Sequence, residues 1–143
     1  MPIQELPPEQ CHDLRETDPS IVHLDVRTPD EFAAGHPEGA LNVPIFLPGG
    51  GGMTLNPDFT RVVERLAPDR DRRVVLSCAM GGRSMRACHV LEQAGYTRLV
   101  NMTGGFAGYR GPGGELVVGG WQDAGLPVST DASAGAWERL RGA

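Results

Sequence analysis

The sequence predicts an α/β domain built on a parallel sheet with helices on its faces, and two patterns carry that expectation. Short β-branched runs alternate with stretches of helical periodicity, and each run ends at a turn or at a helix-start signal. At 143 residues the chain is long enough for one core to be buried without disulfides or a structural metal.

The elements follow in chain order. The N-terminal stretch that carries Cys11 is helical in character. Residues 21–26 (IVHLDV) read as the first clear strand, and residues 40–43 as a shorter one. Between them Thr28, Pro29 and Glu31 form a capping box: a hydroxyl at the N-cap, a proline pre-set for the first turn, and a carboxylate that returns the hydrogen bond. This predicts a helix over Pro29–Ala34. Asn56 and Pro57 repeat the device ahead of a helix over residues 58–67, where Phe59, Val62, Val63 and Leu66 share a face. Val74–Ser77 (VVLS) and residues 99–101 (LVN) are further strands. Between these two, residues 84–94 form a helix striped by Ala87, Cys88, Leu91 and Ala94, with Gly95 placed as its left-handed terminator.

Two segments are less regular. Residues 48–52 (PGGGG) read as a flexible loop, a spacer rather than a lid. The chain divides into a domain over residues 1–130 and a tail over 131–143, small and polar until Trp137 and Leu140, which can dock as one helical turn.

Composition excludes several classes of function. The formal charge is −5 and no basic stripe interleaves with aromatics, so nucleic acid is not an expected partner. No apolar run reaches the length of a bilayer span and the N-terminus has no signal-like start, so neither is a membrane; a cytoplasmic protein is expected. The three cysteines, Cys11, Cys78 and Cys88, lack CxxC spacing, and His12, His23 and His89 lack ligand spacing. Neither a disulfide framework nor a metal site is expected.

The chemistry concentrates after the strand VVLS. Cys78 ends an apolar strand, Gly81 and Gly82 form a turn in which positive φ brings amides close to the sulfur, and a helix begins at once. Strand, turn and helix N-terminus converge main-chain N–H groups and the helix dipole on one point, which favours a thiolate at Cys78. The amides from Ala79 through Met80, Gly81, Gly82 and Arg83 are candidate donors. Arg83 adds a forked cation for an anionic substrate, and Ser84 either caps the helix or donates to the same anion.

The loop Cys78–Ser84 (CAMGGRS) resembles the CxxGxRS active-site loop of rhodanese-type sulfurtransferases. Residues 24–44 (LDVRTPDEFAAGHPEGALNVP) are similar to that family's LDVR, EF, GH, GA and NIP string, residues 104–110 (GGFAGYR) resemble its GGxxxW segment, and residues 125–128 (GLPV) its usual ending. The resemblance implies a three-layer rhodanese-like domain with a five-stranded, mainly parallel central sheet. It also implies a loop cysteine, Cys78, that accepts a sulfane sulfur from thiosulfate or a persulfide, carries it as a persulfide and passes it to cyanide or a thiol. Partners would be these small donors and acceptors, or a sulfur-relay protein. No cofactor is called for.

The sequence also departs from the pattern. Family members that favour thiosulfate resemble one another in carrying basic loop residues, whereas Ala79 and Met80 stand here, which points toward a larger thiol or a protein persulfide. Tyr109 replaces the Trp of the GGxxxW segment, and residues 111–120 are an extra stretch.

Other residues receive structural readings. Asp25 closes the first strand on the edge that bears Cys78, where it either orients a donor or makes an Asx-type hydrogen bond; Arg27 is expected to pair with Glu31 across the capping box. His36 reads as a turn residue bonded to backbone. Cys88 reads as buried, with a resolving thiol as the sharper alternative. Two rivals to a sulfurtransferase remain: a non-catalytic sulfur-carrier or docking domain, and a Cys-dependent phosphatase or arsenate reductase. Those last enzymes resemble C-x5-R, whereas four residues separate Cys78 from Arg83.

Overall fold

The structure, a computed structural model, describes residues 3–142; Met1 and Pro2, at the start of the N-terminal stretch, and Ala143, the end of the expected tail, lie outside the described residues. The elements in order are β1 (Gln4–Leu6), α1 (Pro8–Thr17), β2 (Val22–Asp25), α2 (Pro29–Ala34), β3 (His36–Pro37), β4 (Leu41–Asn42), β5 (Phe46–Gly49), β6 (Gly52–Leu55), α3 (Phe59–Leu66), β7 (Val74–Ser77), α4 (Gly82–Gln93), β8 (Leu99–Met102), β9 (Tyr109–Arg110), β10 (Leu116–Val118), β11 (Val128–Ser129) and α5 (Trp137–Leu140). Five strands form the central sheet in the order β1-β8-β7-β2-β4, and every pairing in it is parallel.

Alternation along these strands sorts the core into two layers. Leu24, Leu76 and Leu99 face α3, α4 and α5, where Phe59, Val62, Val63, Ala87, Cys88, Leu91 and Trp137 complete the larger cluster. Val75, Val100 and Met102 face the other side and meet Cys11 of α1, Phe106 and Trp121. Fully burying each such Val, Leu or Phe is worth about 1.5–3 kcal/mol, which is why α3, short and isolated, is helical at all.

Connections explain where a site can form. From β2 the chain crosses through α2 toward β4 at one edge, whereas from β7 it crosses through α4 to β8 on the other side. The loops after β2 and β7 therefore diverge, and the crevice at the carboxyl ends of these two neighbours is a topological switch point.

Local signals behave largely as their chemistry dictates. The Thr28 hydroxyl accepts from Glu31 N while the Glu31 carboxylate accepts from Thr28 N, so the capping box of α2 is complete. At the end of α4, Gly95 takes φ +98°, and the bonds from Gly95 N to Glu92 O and from Tyr96 N to Leu91 O make a Schellman closure. In the tail, Trp137 and Leu140 are buried on the larger cluster as the single turn α5.

Three expectations need correction, and one strand was not expected. The PGGGG stretch is an ordered hairpin: Gly50 and Gly51, at φ +59° and +86°, make the two-residue turn joining β5 to β6, a geometry that favours consecutive glycines. Asn56 does not cap α3; its carboxamide accepts from Asp58 N and donates to Pro44 O, so the helix starts later. Helix α4 begins at Gly82 rather than at residue 84, because Gly81, at φ +116°, occupies the N-cap, and Gly82 is helical instead of left-handed. Finally β1 carries no β-rich pattern in Gln-Glu-Leu and owes its conformation to pairing with β8.

The extra stretch after residue 108 forms the hairpin β9–β10, looped out of the domain. A Cβ at Gly120 would lie 2.3 Å from Gly108 N, so the two ends of the excursion touch. Trp121 then resumes the fold, donating its main-chain N–H to Gly105 O and burying its indole completely, while Tyr109 stays half exposed on the hairpin.

Candidate active site

Cys78 leaves β7 on the α4 side of the sheet and is 2% exposed. Its sulfur accepts a hydrogen bond from Gly81 N at 3.0 Å, and Ser84 Oγ lies 3.4 Å away. The N–H groups of Gly82, Arg83 and Ser84, in the first turn of α4, have no partner within the helix and head the same end of its dipole. Loop donors thus come from Gly81 and the helix start. Ala79 and Met80 form the outer bend, with Met80 58% exposed at the rim.

The back of the loop is pinned by the turn after β8. Phe106 N donates to Cys78 O at 2.7 Å and Ala107 N to Ala79 O at 2.9 Å, which turns both carbonyls away from the sulfur. Close approach demands glycine here: Gly105 has φ +59°, and a Cβ on it would lie 2.5 Å from Cys78 O and 2.6 Å from Ala79 C. The segment resembling GGxxxW therefore shapes the loop through its amides.

Arg83 is differently engaged from the expectation. Its guanidinium makes a forked pair with Glu31, NH1 to Oε1 at 2.6 Å and NH2 to Oε2 at 2.9 Å, bridging α4 and α2 across the crevice. Chiefly through these hydrogen bonds the Glu31 carboxyl is pulled down to about 2, and Arg83 in turn is raised. Arg27 does not pair with Glu31, as the capping box had suggested. It forks instead onto Asp25, at 2.7 Å between NH2 and Oδ2, also donates to Gly35 O, and lies over the Phe106 ring. Asp25 is wholly buried with both oxygens accepting from Arg27, an arrangement that fixes the loop after β2 beneath the crevice.

Two further residues join the site that sequence reasoning left out of it. Asn101 of β8 is buried and its Oδ1 accepts from Ser84 Oγ at 2.5 Å; the visible signal was an amide interrupting an apolar strand covered on both faces. Glu31 registered only as a cap and as the expected partner of Arg27. The remaining cysteines differ from Cys78 in surroundings: burial pushes the Cys11 and Cys88 thiols up to about 12, which keeps them protonated and unreactive. His36 donates from Nδ1 to Phe32 O and stacks on the Phe32 ring. His23 is buried between Arg15 and Ser77, and burial holds it well below the usual histidine range.

This strand, cysteine loop and helix carry the residues whose pattern matched a known family, and the family's sequence model, described as a rhodanese-like domain, matches residues 7–111. The chain belongs to the rhodanese-like family. Over 84 residues this rhodanese-like chain is 44% identical to Senescence-associated protein DIN1 of Raphanus sativus, covering 59% of this chain and 45% of that one. Over 87 residues it is 41% identical to Thiosulfate sulfurtransferase 16, chloroplastic, of Arabidopsis thaliana, covering 61% and 72%. The crystal structure of Rv0390 from M. tuberculosis is similar with a TM-score of 0.72 at 27% identity, over 92% of this chain and 100% of that one. The chain thus spans between about half and three quarters of the length of these two curated relatives. Among the described residues no helix is long and apolar enough to cross a membrane.

Proposed function

We propose that this rhodanese-like domain is a sulfurtransferase in which Cys78 carries the transferred sulfur as a persulfide, in the reducing setting of the cytoplasm. The observation that carries the reading is the Gly81 N–H aimed at Cys78 Sγ, at the N-cap of α4, whose first-turn N–H groups have no partner within the helix. Such donors stabilise an anionic sulfur where it forms and need no reorganisation during the reaction. Family membership and a relative named as a thiosulfate sulfurtransferase support the same reading.

In the first half-reaction the Cys78 thiolate attacks the sulfane sulfur of the donor. The donor's S–S bond breaks and its electron pair leaves with sulfite or with a thiolate, so Cys78 holds a terminal anionic sulfur. In the second, cyanide or an acceptor thiolate attacks that outer sulfur, the bond to Sγ breaks, and the Cys78 thiolate returns. Electrons balance in each step without a metal or redox cofactor.

Two features favour a persulfide over thiosulfate as donor. The Arg83 charge is already matched by Glu31, which weakens attraction for a dianion, and the bend is formed by Ala79 and exposed Met80, a soft apolar rim suited to a bulky thiol or a protein persulfide. The same clamp leaves Arg83 poorly disposed toward phosphate or arsenate. Cys78→Ser is expected to abolish thiocyanate production from every donor while the thermal unfolding midpoint stays near that of the parent. Thiocyanate turnover by the Cys78→Ser variant, or efficient hydrolysis of an aryl phosphate by the parent, would overturn the reading.

A further inference from the structure

Ser84 has one hydroxyl hydrogen and three acceptors around it. Asn101 Oδ1 lies at 2.5 Å, Gly81 O at 3.2 Å and Cys78 Sγ at 3.4 Å, and Ser84 is completely buried. One hydrogen serves one strong bond, so the short contact to Asn101 takes it and leaves the sulfur, among the described residues, with the Gly81 N–H as its hydrogen-bond donor.

The orientation of the Asn101 amide is fixed by what its other end meets. Nδ2 faces two oxygens, Gly81 O and Glu5 Oε1, each at 3.4 Å, and neither can donate. Turning the amide end for end would set Oδ1 against both oxygens, so the observed orientation is the one in which every contact pairs a donor with an acceptor. The result is a relay from Glu5 on β1, through Asn101 on β8, to Ser84 on α4, made possible because Glu5 and Asn101 are paired across β1 and β8. Gly81 O also accepts from Met85 N, which leaves the sulfur as the better second choice for the hydroxyl once it is charged.

We infer that Asn101 is a positioning residue that holds the Ser84 hydroxyl off Cys78 in the resting protein, keeping the sulfur nucleophilic by denying it a second donor. A thiolate that accepts fewer hydrogen bonds attacks more readily, because nucleophilicity falls as the anion is stabilised. Ser84 is thereby held in reserve beside the sulfur. The inference rests on Cys78 being the reacting thiol, yet its test requires no sulfur transfer.

The test is a double-mutant cycle read by the ultraviolet absorbance of the thiolate against pH. The other cysteines stay protonated across the range used. The charged and titratable groups around the thiol are Arg83 and Glu31, the Asp25–Arg27 pair, Glu5 and Cys88, and only Glu5 changes in any variant. In the parent background Ser84→Ala should leave the Cys78 midpoint nearly unmoved. In Asn101→Leu, where the amide no longer competes, the hydroxyl turns to the sulfur; the midpoint should fall by about one pH unit, and adding Ser84→Ala should restore it. Glu5→Ala, a surface change, should give the same coupling with Ser84 in smaller measure if Asn101→Leu fails to fold. Loss of the Glu5 charge alone would shift the midpoint equally with or without the hydroxyl, so the coupling reads the relay and not the field. A large rise on Ser84→Ala in the parent, or additive shifts in both cycles, would overturn the inference. Sulfur loading of the parent, measured alongside, separates the two claims: loading without coupling refutes Asn101's role alone, and coupling without loading refutes the sulfurtransferase reading alone.

Discussion

A guanidinium beside a reactive thiol can serve the substrate or the scaffold, and at Arg83 the partner decides. Both terminal nitrogens are spent on Glu31, which also accepts from the Thr28 amide and hydroxyl, so the fork is held at both ends. A charge matched in this way steers an incoming dianion weakly. Glu31→Gln should therefore free Arg83, and thiosulfate kcat/KM should rise several-fold against that of a persulfide donor. The ratio of the two specificity constants, measured side by side, checks it; an unchanged ratio removes Arg83 from donor selection. Asp25 and Arg27 carry the same outcome further. Their fork is closed upon itself and upon Gly35 O, which suits a brace and leaves no lone pair for a donor.

At the scale of elements the site depends on two turns meeting back to back, the loop after β7 and the turn after β8. The amides of Phe106 and Ala107 hold the loop's carbonyls outward, and this contact exists because Gly105 has no side chain. Gly105→Ala is expected to cost more than about 2 kcal/mol of stability, by urea unfolding, and most of the activity, since the new methyl would meet Cys78 O and the backbone would be strained; this is the order seen for overpacking and left-handed strain. Gly82→Ala, at a helical position with open space around it, should instead stabilise by about 0.5–1 kcal/mol. The contrast explains what the sequence makes legible. Periodicity, the capping box and the glycine after α4 act within a few residues, so α2, α3 and α4 could be read to within two residues. By contrast β1 has no local signal and exists through its parallel register with β8, and the glycine pair at 50–51 looks like slack until its pairing partners at Gly49 and Gly52 are known. The loop cysteine and its glycines were visible for the same local reason; the Glu31 clamp and the Asn101 contact join residues 52 and 17 apart in the chain and were not.

The whole molecule couples its stability to pH through a buried histidine of the central sheet. His23, buried between Arg15 and Ser77 against Trp121, is held well below its usual range, first by burial and then by Arg15. A histidine depressed in the folded state stabilises fully above its unfolded value near 6.5, and that contribution is lost as pH falls, because only the unfolded chain takes the proton. Unfolding free energy measured in urea should therefore decline below about pH 6.5, approaching about 1.4 kcal/mol per pH unit from this residue, with a shallower decline in His23→Gln. Glu31 adds a later loss: its folded value of about 2 lies below the ordinary 4.5, so the ion pair contributes above pH 4.5 and fades toward pH 2. With side chains about a third exposed, the pair adds no more than about 1 kcal/mol. Parallel curves for parent and His23→Gln would show that the buried imidazole is not the sensor.

The function proposed for this domain requires that one particular sulfur hold another. The direct measurement is intact-mass spectrometry with peptide mapping after brief exposure to a sulfane-sulfur donor, followed by cyanide. The account predicts a gain of one sulfur atom on the peptide bearing Cys78, none on those bearing Cys11 or Cys88, and its stoichiometric removal as thiocyanate. An unmodified Cys78, or sulfur that resides on another residue, would contradict it.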